Sequence, residues 1–244
     1  MDILKLLRLQ QWSKNFTIYV VLLASGSYEF QLFKDLSIVF IGFSLIVSST
    51  YIINDIADRK SDREHPSKKN RPIATGKVSK NFAIKFSITI FLVGKLILSS
   101  MNMNLLIFSS LYVVITLFYS YKIKYIKYLD ILSVTFLFLV RLVIGGVAID
   151  IEVSTPLFLF VFFTCLGIVS SKKYSILNNN ELRNLKVKKF LIANYKKQEV
   201  KNAILISFIF SIITYTAWII LNSHMSLLDT SSISLYLSLI IYVF

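Results

Sequence analysis

Apolar residues in this chain gather into long runs separated by short charged stretches. The runs fall at 16–33, 36–54, 82–100, 104–121, 129–149, 155–171, 203–222 and 231–244. A helix needs about 20 apolar residues to cross a hydrocarbon core, so each run predicts a membrane-spanning helix. The count is eight, good to about one span, because the first run is short and the last stops at the chain end. With no low-complexity tract and no Pro/Gly-rich linker, the pattern predicts one all-α, polytopic integral membrane bundle over residues 1–244.

Composition agrees with this. Apolar residues make up 55% of the chain and mean hydropathy is +0.67. Charged residues are 16%, against roughly 25% in soluble domains. Cys165 is the single cysteine, so no disulfide can form within the chain, and its place in an apolar run predicts a buried, inert thiol. No small-residue cleavage site follows the basic N-terminus, so the first run is expected to remain as a span.

Charge placement adds an orientation. Lys5, Arg8 and Lys14 precede the first run, nine basic residues surround the second connection (59–85), Lys122, Lys124 and Lys127 lie in the fourth, and nine more fill the sixth (172–201). Together these are 24 of the 27 lysines and arginines, all on alternate connections. The positive-inside rule then places the N-terminus and the even connections in the cytoplasm. A net charge of +14 needs no nucleic acid, since topology and anionic headgroups account for it. The lysines of 181–201 predict an amphipathic, membrane-facing connection.

The chemistry concentrates between Asn54 and Gly76, where the second run ends. Asp55, Asp58 and Asp62 fall within eight positions, and a basic stretch follows. If 45–63 is helical, spacings of three and four put the three carboxylates on one face, with Asn54 stacked against Asp58. Crowded carboxylates repel and call for a cation. Magnesium suits them, because it takes oxygen ligands and shares itself between carboxylates and substrate phosphates. Lys68, Lys69 and Arg71 could hold the rest of an anionic substrate. The plain alternative is a solvated helix end, its acids alternating with Arg59, Lys60 and Arg63 in weak surface pairs.

A second region lies in the fourth connection, Tyr119 to Asp130, which is aromatic and basic with one carboxylate. Tyrosines and lysines there fit an interfacial belt. Asp130 and, eleven residues on, Arg141 do not, since charges within a span are costly unless paired. Their helical spacing predicts a water-filled cavity shared by both. The Gly145-Gly146 pair predicts close helix packing rather than phosphate binding, because no G-x-G-x-x-G surrounds it.

The Asn54-Asp55-x-x-Asp58-x-x-x-Asp62 pattern resembles the first signature of the UbiA-type prenyltransferase superfamily, helical membrane enzymes with commonly nine spans around a polar cavity. Further blocks are similar to its decaprenyl-phosphate phosphoribosyltransferase branch. They are Gln11-Trp12-x-Lys14-Asn15, Asp62-Arg-Glu-His65-Pro66 running into Lys68 and Arg71-Pro72-Ile73-Ala74-x-Gly76, Tyr119-Ser120 with Lys124 and Asp130, Arg141 with Gly145-Gly146, and Lys172-Lys173-Tyr174.

The resemblance implies magnesium-dependent transfer of a 5-phosphoribosyl group from phosphoribosyl diphosphate to a polyprenyl phosphate, releasing diphosphate. It also implies a cytoplasm-facing cavity in a bacterial cell membrane and, in some bacteria, arabinose donors for cell-wall polymers. Residue by residue it implies Asn54, Asp55, Asp58 and Asp62 on the metal, and Lys14, Lys68, Arg71 and Lys124 on phosphates. His65, Tyr119, Arg141, Lys172 and Lys173 would contact substrate, and Asp130 would bind a ribose hydroxyl, a second metal or a lysine. Superfamily members that prenylate aromatic acceptors usually carry a second aspartate cluster. This chain has one aspartate and three lysines there, which favours a second phosphate-bearing substrate. Two departures stand out: Ile176 replaces an expected acid, and the eight apolar runs offer no counterpart for the usual ninth span. Two alternatives are isoprenyl transfer to an aromatic or other small acceptor, and a non-enzymatic transporter. A transporter predicts acids deep within spans and related halves.

Overall fold

The computed structural model describes residues 2–64, 68–179 and 186–221, and every regular element among them is helical. Among the described residues, six helices are long and apolar enough to cross a membrane. They are α3 (Phe30–Ala57), α6 (Lys80–Met101), α7 (Asn104–Tyr121), α8 (Leu129–Ala148), α9 (Thr155–Asn178) and α11 (Lys197–Leu221). Short helices complete the described chain: α1 (Asp2–Leu7), α2 (Val20–Ser25), α4 (Arg59–Arg63), α5 (Pro72–Thr75) and α10 (Lys186–Asn194). The last expected run, 231–244, lies outside the described residues.

The expected first span differs from observation. Instead of one α-helix over 16–33, the chain forms a 3-10 segment, Leu9–Tyr19, that passes into α2 and stops at Gly26 in left-handed backbone. The next helix starts at Phe30, so the turn falls at 26–29 rather than near 34. The long 3-10 run is held from outside. Trp12 Nε1 donates to Ser48 Oγ at 3.0 Å and Asn15 Nδ2 donates to Ser44 Oγ at 2.8 Å. Ser44 and Ser48 are one α-turn apart on α3, so α3 acts as a ruler for this segment.

Helix α3 is the organising element. It packs along α6, where glycines let the two backbones approach: a Cβ added at Gly94 would lie 2.6 Å from the Gly42 carbonyl oxygen. Small residues at such crossings are a common membrane solution, because packing replaces the hydrophobic drive that lipid removes. Helices α9 and α11 form the other long pair, and α8 lies between, touching α7, α9 and the 3-10 segment. Phe43, Ile46, Val47, Leu142 and Ile144 are fully buried in the central core. Ile107, Leu205, Ile206 and Ile212 are among many exposed large apolar side chains, as expected of helices that face lipid.

Candidate active site

At its C-terminal end, α3 breaks at Asp58 (φ −85°, ψ 3°) and continues as α4. The break is gentle: Asp58 N–H donates to the Asn54 carbonyl at 2.8 Å and Asp62 N–H to the Asp58 carbonyl at 2.9 Å. Four-residue spacing survives, although the continuous 45–63 helix does not. The acids then divide. Asp55 and Asp62 are buried, 5% and 2% exposed, while Asn54 and Asp58 are half-buried.

Two arginines hold the buried pair. Arg71 Nη1 donates to Asp55 Oδ1 at 2.9 Å and to Asp62 Oδ2 at 2.7 Å, and Arg8 Nη2 closes on Asp55 Oδ1. Arg59 and Arg63 do not pair with these acids. Their Nε atoms donate to the carbonyls of Ile73 and Ala74, pinning α4 to α5 and so placing Arg71. Surface alternation of acids and arginines therefore does not describe this segment.

Arg8, read from sequence as a topology charge, is the residue that sequence reasoning missed. Its backbone is left-handed (φ 50°, ψ 51°), a conformation that costs a residue with a Cβ on the order of 1–3 kcal/mol. That turn links α1 to the 3-10 segment and aims the guanidinium at Asp55, over the Tyr51 ring. A cavity of about 530 Å³ opens beside it, lined by α1, the start of the 3-10 segment, Asp55 and Asn70–Pro72.

No three metal-ligating side chains converge among the described residues, because arginines occupy the space between Asp55 and Asp62. The donor set nevertheless fits a hard divalent cation: four oxygen-bearing side chains lie within nine residues, and those of Asn54 and Asp58 make no hydrogen bond or ion pair among the described residues. Lys68, on the 3-10 turn before Arg71, lies near Asp62 and Asp58. Burial and then the Arg71 charge push its ammonium below the ordinary lysine range. His65 lies outside the described residues.

The second region resolves differently from expectation. Asp130 and Arg141 are not brought together in a shared cavity. Asp130 is fully buried, with Lys173 Nζ 2.7 Å from Oδ2 and the Tyr195 hydroxyl donating to Oδ1 at 2.5 Å. Lysine is thus one partner of Asp130. Tyr195 also accepts the Tyr128 N–H at 2.6 Å, where Tyr128 starts α8 from left-handed backbone (φ 66°). Arg141 instead donates through Nε to Asn15 (2.8 Å), through Nη1 to the Leu137 carbonyl (2.7 Å) and through Nη2 to the Tyr112 hydroxyl (2.8 Å). It is sandwiched by the Tyr112 and Phe138 rings, so its charge is solvated by protein rather than by a carboxylate.

The remaining expected substrate residues are dispersed. Lys14 lies within electrostatic reach of Lys172, Arg141 and Arg8, which makes a cationic zone between the two regions. Lys172 is exposed and Lys173 buried in the Asp130 pair. Tyr119 is half-buried within electrostatic reach of Asp130. Lys124 lies over the Tyr125 ring, 5.4 Å from its centre. Gly145 packs against the Ile18 backbone and Gly146 against the Ile151 carbonyl, which accounts for both as packing glycines.

Residues 15–244 match the model of the UbiA prenyltransferase family. Decaprenyl-phosphate phosphoribosyltransferase of Mycolicibacterium smegmatis is 34% identical over 194 residues, covering 78% of this chain and 61% of that protein. The enzyme of the same name from Corynebacterium glutamicum is 31% identical, covering 77% and 58%. The chain thus spans about three-fifths of the length of these relatives. In structure, a UbiA homologue from Archaeoglobus fulgidus bound to GPP and Mg2+ aligns with a TM-score of 0.78 at 16% identity, covering 100% of this chain and 86% of that one. That likeness carries the fold.

Proposed function

Because the chain belongs to the UbiA prenyltransferase family and is a multi-pass membrane protein, we propose that it transfers the 5-phosphoribosyl group of phosphoribosyl diphosphate to a polyprenyl phosphate. The observation that carries this reading is the buried Asp55–Arg71–Asp62 bridge with Arg8, set against a cavity that Arg8, Asp55 and Arg71 help to line. It pairs oxygen donors for a metal with guanidinium groups for phosphates. The names of the relatives support the substrate pair, and the bacterial relatives together with the basic even connections support a site on the cytoplasmic face of a bacterial plasma membrane.

The acceptor phosphate is already an anion, so no side chain has to act as a general base. One of its oxygens forms a bond to C1 of the ribose as the bond from C1 to diphosphate breaks, and the products are polyprenyl-phosphoryl-phosphoribose and diphosphate. The demanding part is the charge that builds on the leaving diphosphate. Arg8, Arg71 and Lys68 stabilise that charge, and Lys14 and Lys172 meet the acceptor phosphate. Asn54 and Asp58 would hold Mg2+, with Asp55 and Asp62 able to join them, and the metal would neutralise diphosphate oxygens there. The buried bridge keeps the acids neutralised before substrate arrives. The protein's contribution is electrostatics and positioning.

The test is direct. Purified protein with Mg2+ and labelled phosphoribosyl diphosphate should yield lipid-extractable label only when polyprenyl phosphate is present, and Asp58→Ala should abolish it. Label transfer from an isoprenyl diphosphate to an aromatic acceptor, with none from phosphoribosyl diphosphate, sinks the proposal.

A further inference from the structure

We infer that the cavity between α1 and the Asn70–Pro72 turn is a phosphosugar subsite, and that Lys5 and Gln11 in its wall select a donor whose sugar carries a 5-phosphate. The inference rests on the phosphoribosyl reading above and goes further by naming the residues that meet the sugar end of the donor.

The wall of the cavity makes the case. Lys5, Arg8, Gln10, Gln11, Asn70 and Arg71 contribute three fixed positive charges and three amides, against the single carboxylate of Asp55. Arg8 and Arg71 are balanced by Asp55 and Asp62, which leaves the Lys5 charge in excess, and that excess asks for an anion. Amides donate and accept at once, which is what hydroxyl recognition needs. Leu4, Leu9 and Pro72 line the rest of the cavity. The volume of about 530 Å³ falls in the range of small-molecule sites, about 300–1,000 Å³.

Position adds direction. Asp55 and Arg71 belong both to this cavity and to the buried acidic bridge. A donor whose diphosphate lies on the metal-ligand side of Asp55 therefore has its ribose and 5-phosphate on the α1 side. Lys5 is an exposed residue on the last turn of α1, where a flexible ammonium can reach a phosphate without prior burial cost. Gln11 follows the left-handed turn at Arg8, and its N–H donates to the Arg8 carbonyl at 2.7 Å. The strained turn thus fixes the spacing between the charge-bearing and amide-bearing parts of the wall.

The test uses the full-length chain in detergent with Mg2+. Ribose 5-phosphate binding is measured by calorimetry, and donor kinetics by lipid-extractable label. Lys5→Gln should weaken ribose 5-phosphate binding and raise the KM for phosphoribosyl diphosphate about tenfold or more, with kcat within about threefold. Lys5→Arg should restore both. Gln11→Leu should raise KM in the same way. A donor lacking the 5-phosphate should show no further penalty from Lys5→Gln.

Transfer by the wild-type protein with binding and KM indifferent to Lys5→Gln and Gln11→Leu overturns the subsite and leaves the activity standing. Lys5-dependent binding of ribose 5-phosphate without lipid labelling does the reverse. If neither binding nor labelling occurs, both fall.

Discussion

A methyl group added at Gly145 tests how the site is held. The α8 backbone there lies directly against the 3-10 segment, and a Cβ at Gly145 would overlap the Ile18 carbonyl oxygen, with Ile18 C at 3.0 Å and Cα at 3.2 Å. All three neighbours are backbone, so no rotamer change relieves the clash. The segment has to retreat by on the order of 1 Å in a close-packed interior. Overpacking of this kind costs about 1–3 kcal/mol, and a backbone clash belongs at the upper end. The same retreat stretches the Asn15–Arg141 hydrogen bond, now 2.8 Å, and hydrogen bonds to charged groups contribute about 1.5–3 kcal/mol.

The two effects share one displacement and do not add fully, so Gly145→Ala should destabilise by about 3–4 kcal/mol. In a chain of this size that lowers Tm by roughly 6–15 °C. The assay is thermal unfolding in detergent followed by tryptophan emission, with Gly167→Ala as control. The three nearest neighbours of a Cβ at Gly167 are Phe208 ring atoms at 3.1–3.3 Å, which a side-chain shift can relieve, so that variant should move Tm by less than a third as much. Because Lys14 and Arg8 sit on or beside the displaced segment, donor KM should rise as well. A Gly145→Ala protein within about 2 °C of wild type, with unchanged KM, refutes the close-approach account.

Arg71→Gln leaves the buried Asp55 and Asp62 undercompensated and should cost about 3–5 kcal/mol. Saturating Mg2+ should recover part of the lost Tm, and a loss insensitive to Mg2+ contradicts metal binding beside that pair. Tyr195→Phe removes the hydroxyl shared by Asp130 and the Tyr128 N–H. It should destabilise by about 1–3 kcal/mol and raise hydrogen exchange across α10 more than across α3. Burial and then Arg71 lower the Lys68 ammonium below its ordinary 10.5, so its charge is lost earlier as pH rises. Donor KM should therefore climb with pH below 10.5, while Lys68→Arg stays flat over the same range. Stability should move the opposite way: between the lowered value and 10.5 the unfolded chain holds the extra proton, so wild-type stability rises with pH.

The acidic segment was legible because its spacing is local: Asn54, Asp55, Asp58 and Asp62 are near neighbours whatever the tertiary fold. Six of the long apolar runs were legible for the same reason, since hydrophobic length carries the signal. What escaped is non-local. Arg8 reaches Asp55 across 47 residues, and nothing in its surroundings in sequence distinguishes it from a topology charge. Arg141 finds Asn15 across 126 residues, so its partner could not be read from helical spacing. The 3-10 form of Leu9–Tyr19 was hidden because it depends on Ser44 and Ser48 of another helix. Tyr195 lay within a lysine-rich connection whose composition points to headgroups rather than to a buried aspartate.

The central claim is that the Asn54–Asp62 segment, with Arg8 and Arg71, takes a phosphorylated sugar diphosphate rather than an isoprenyl one. The most direct measurement is a donor competition in a single vessel: purified protein, Mg2+, polyprenyl phosphate, an aromatic acceptor, and equimolar phosphoribosyl diphosphate and geranyl diphosphate, with the lipid extract read by mass spectrometry. The account predicts a polyprenyl phosphate heavier by one phosphoribosyl group and no prenylated aromatic product, with both donors untouched in the Asp58→Ala protein. A prenylated aromatic product, with the polyprenyl phosphate unchanged, contradicts it.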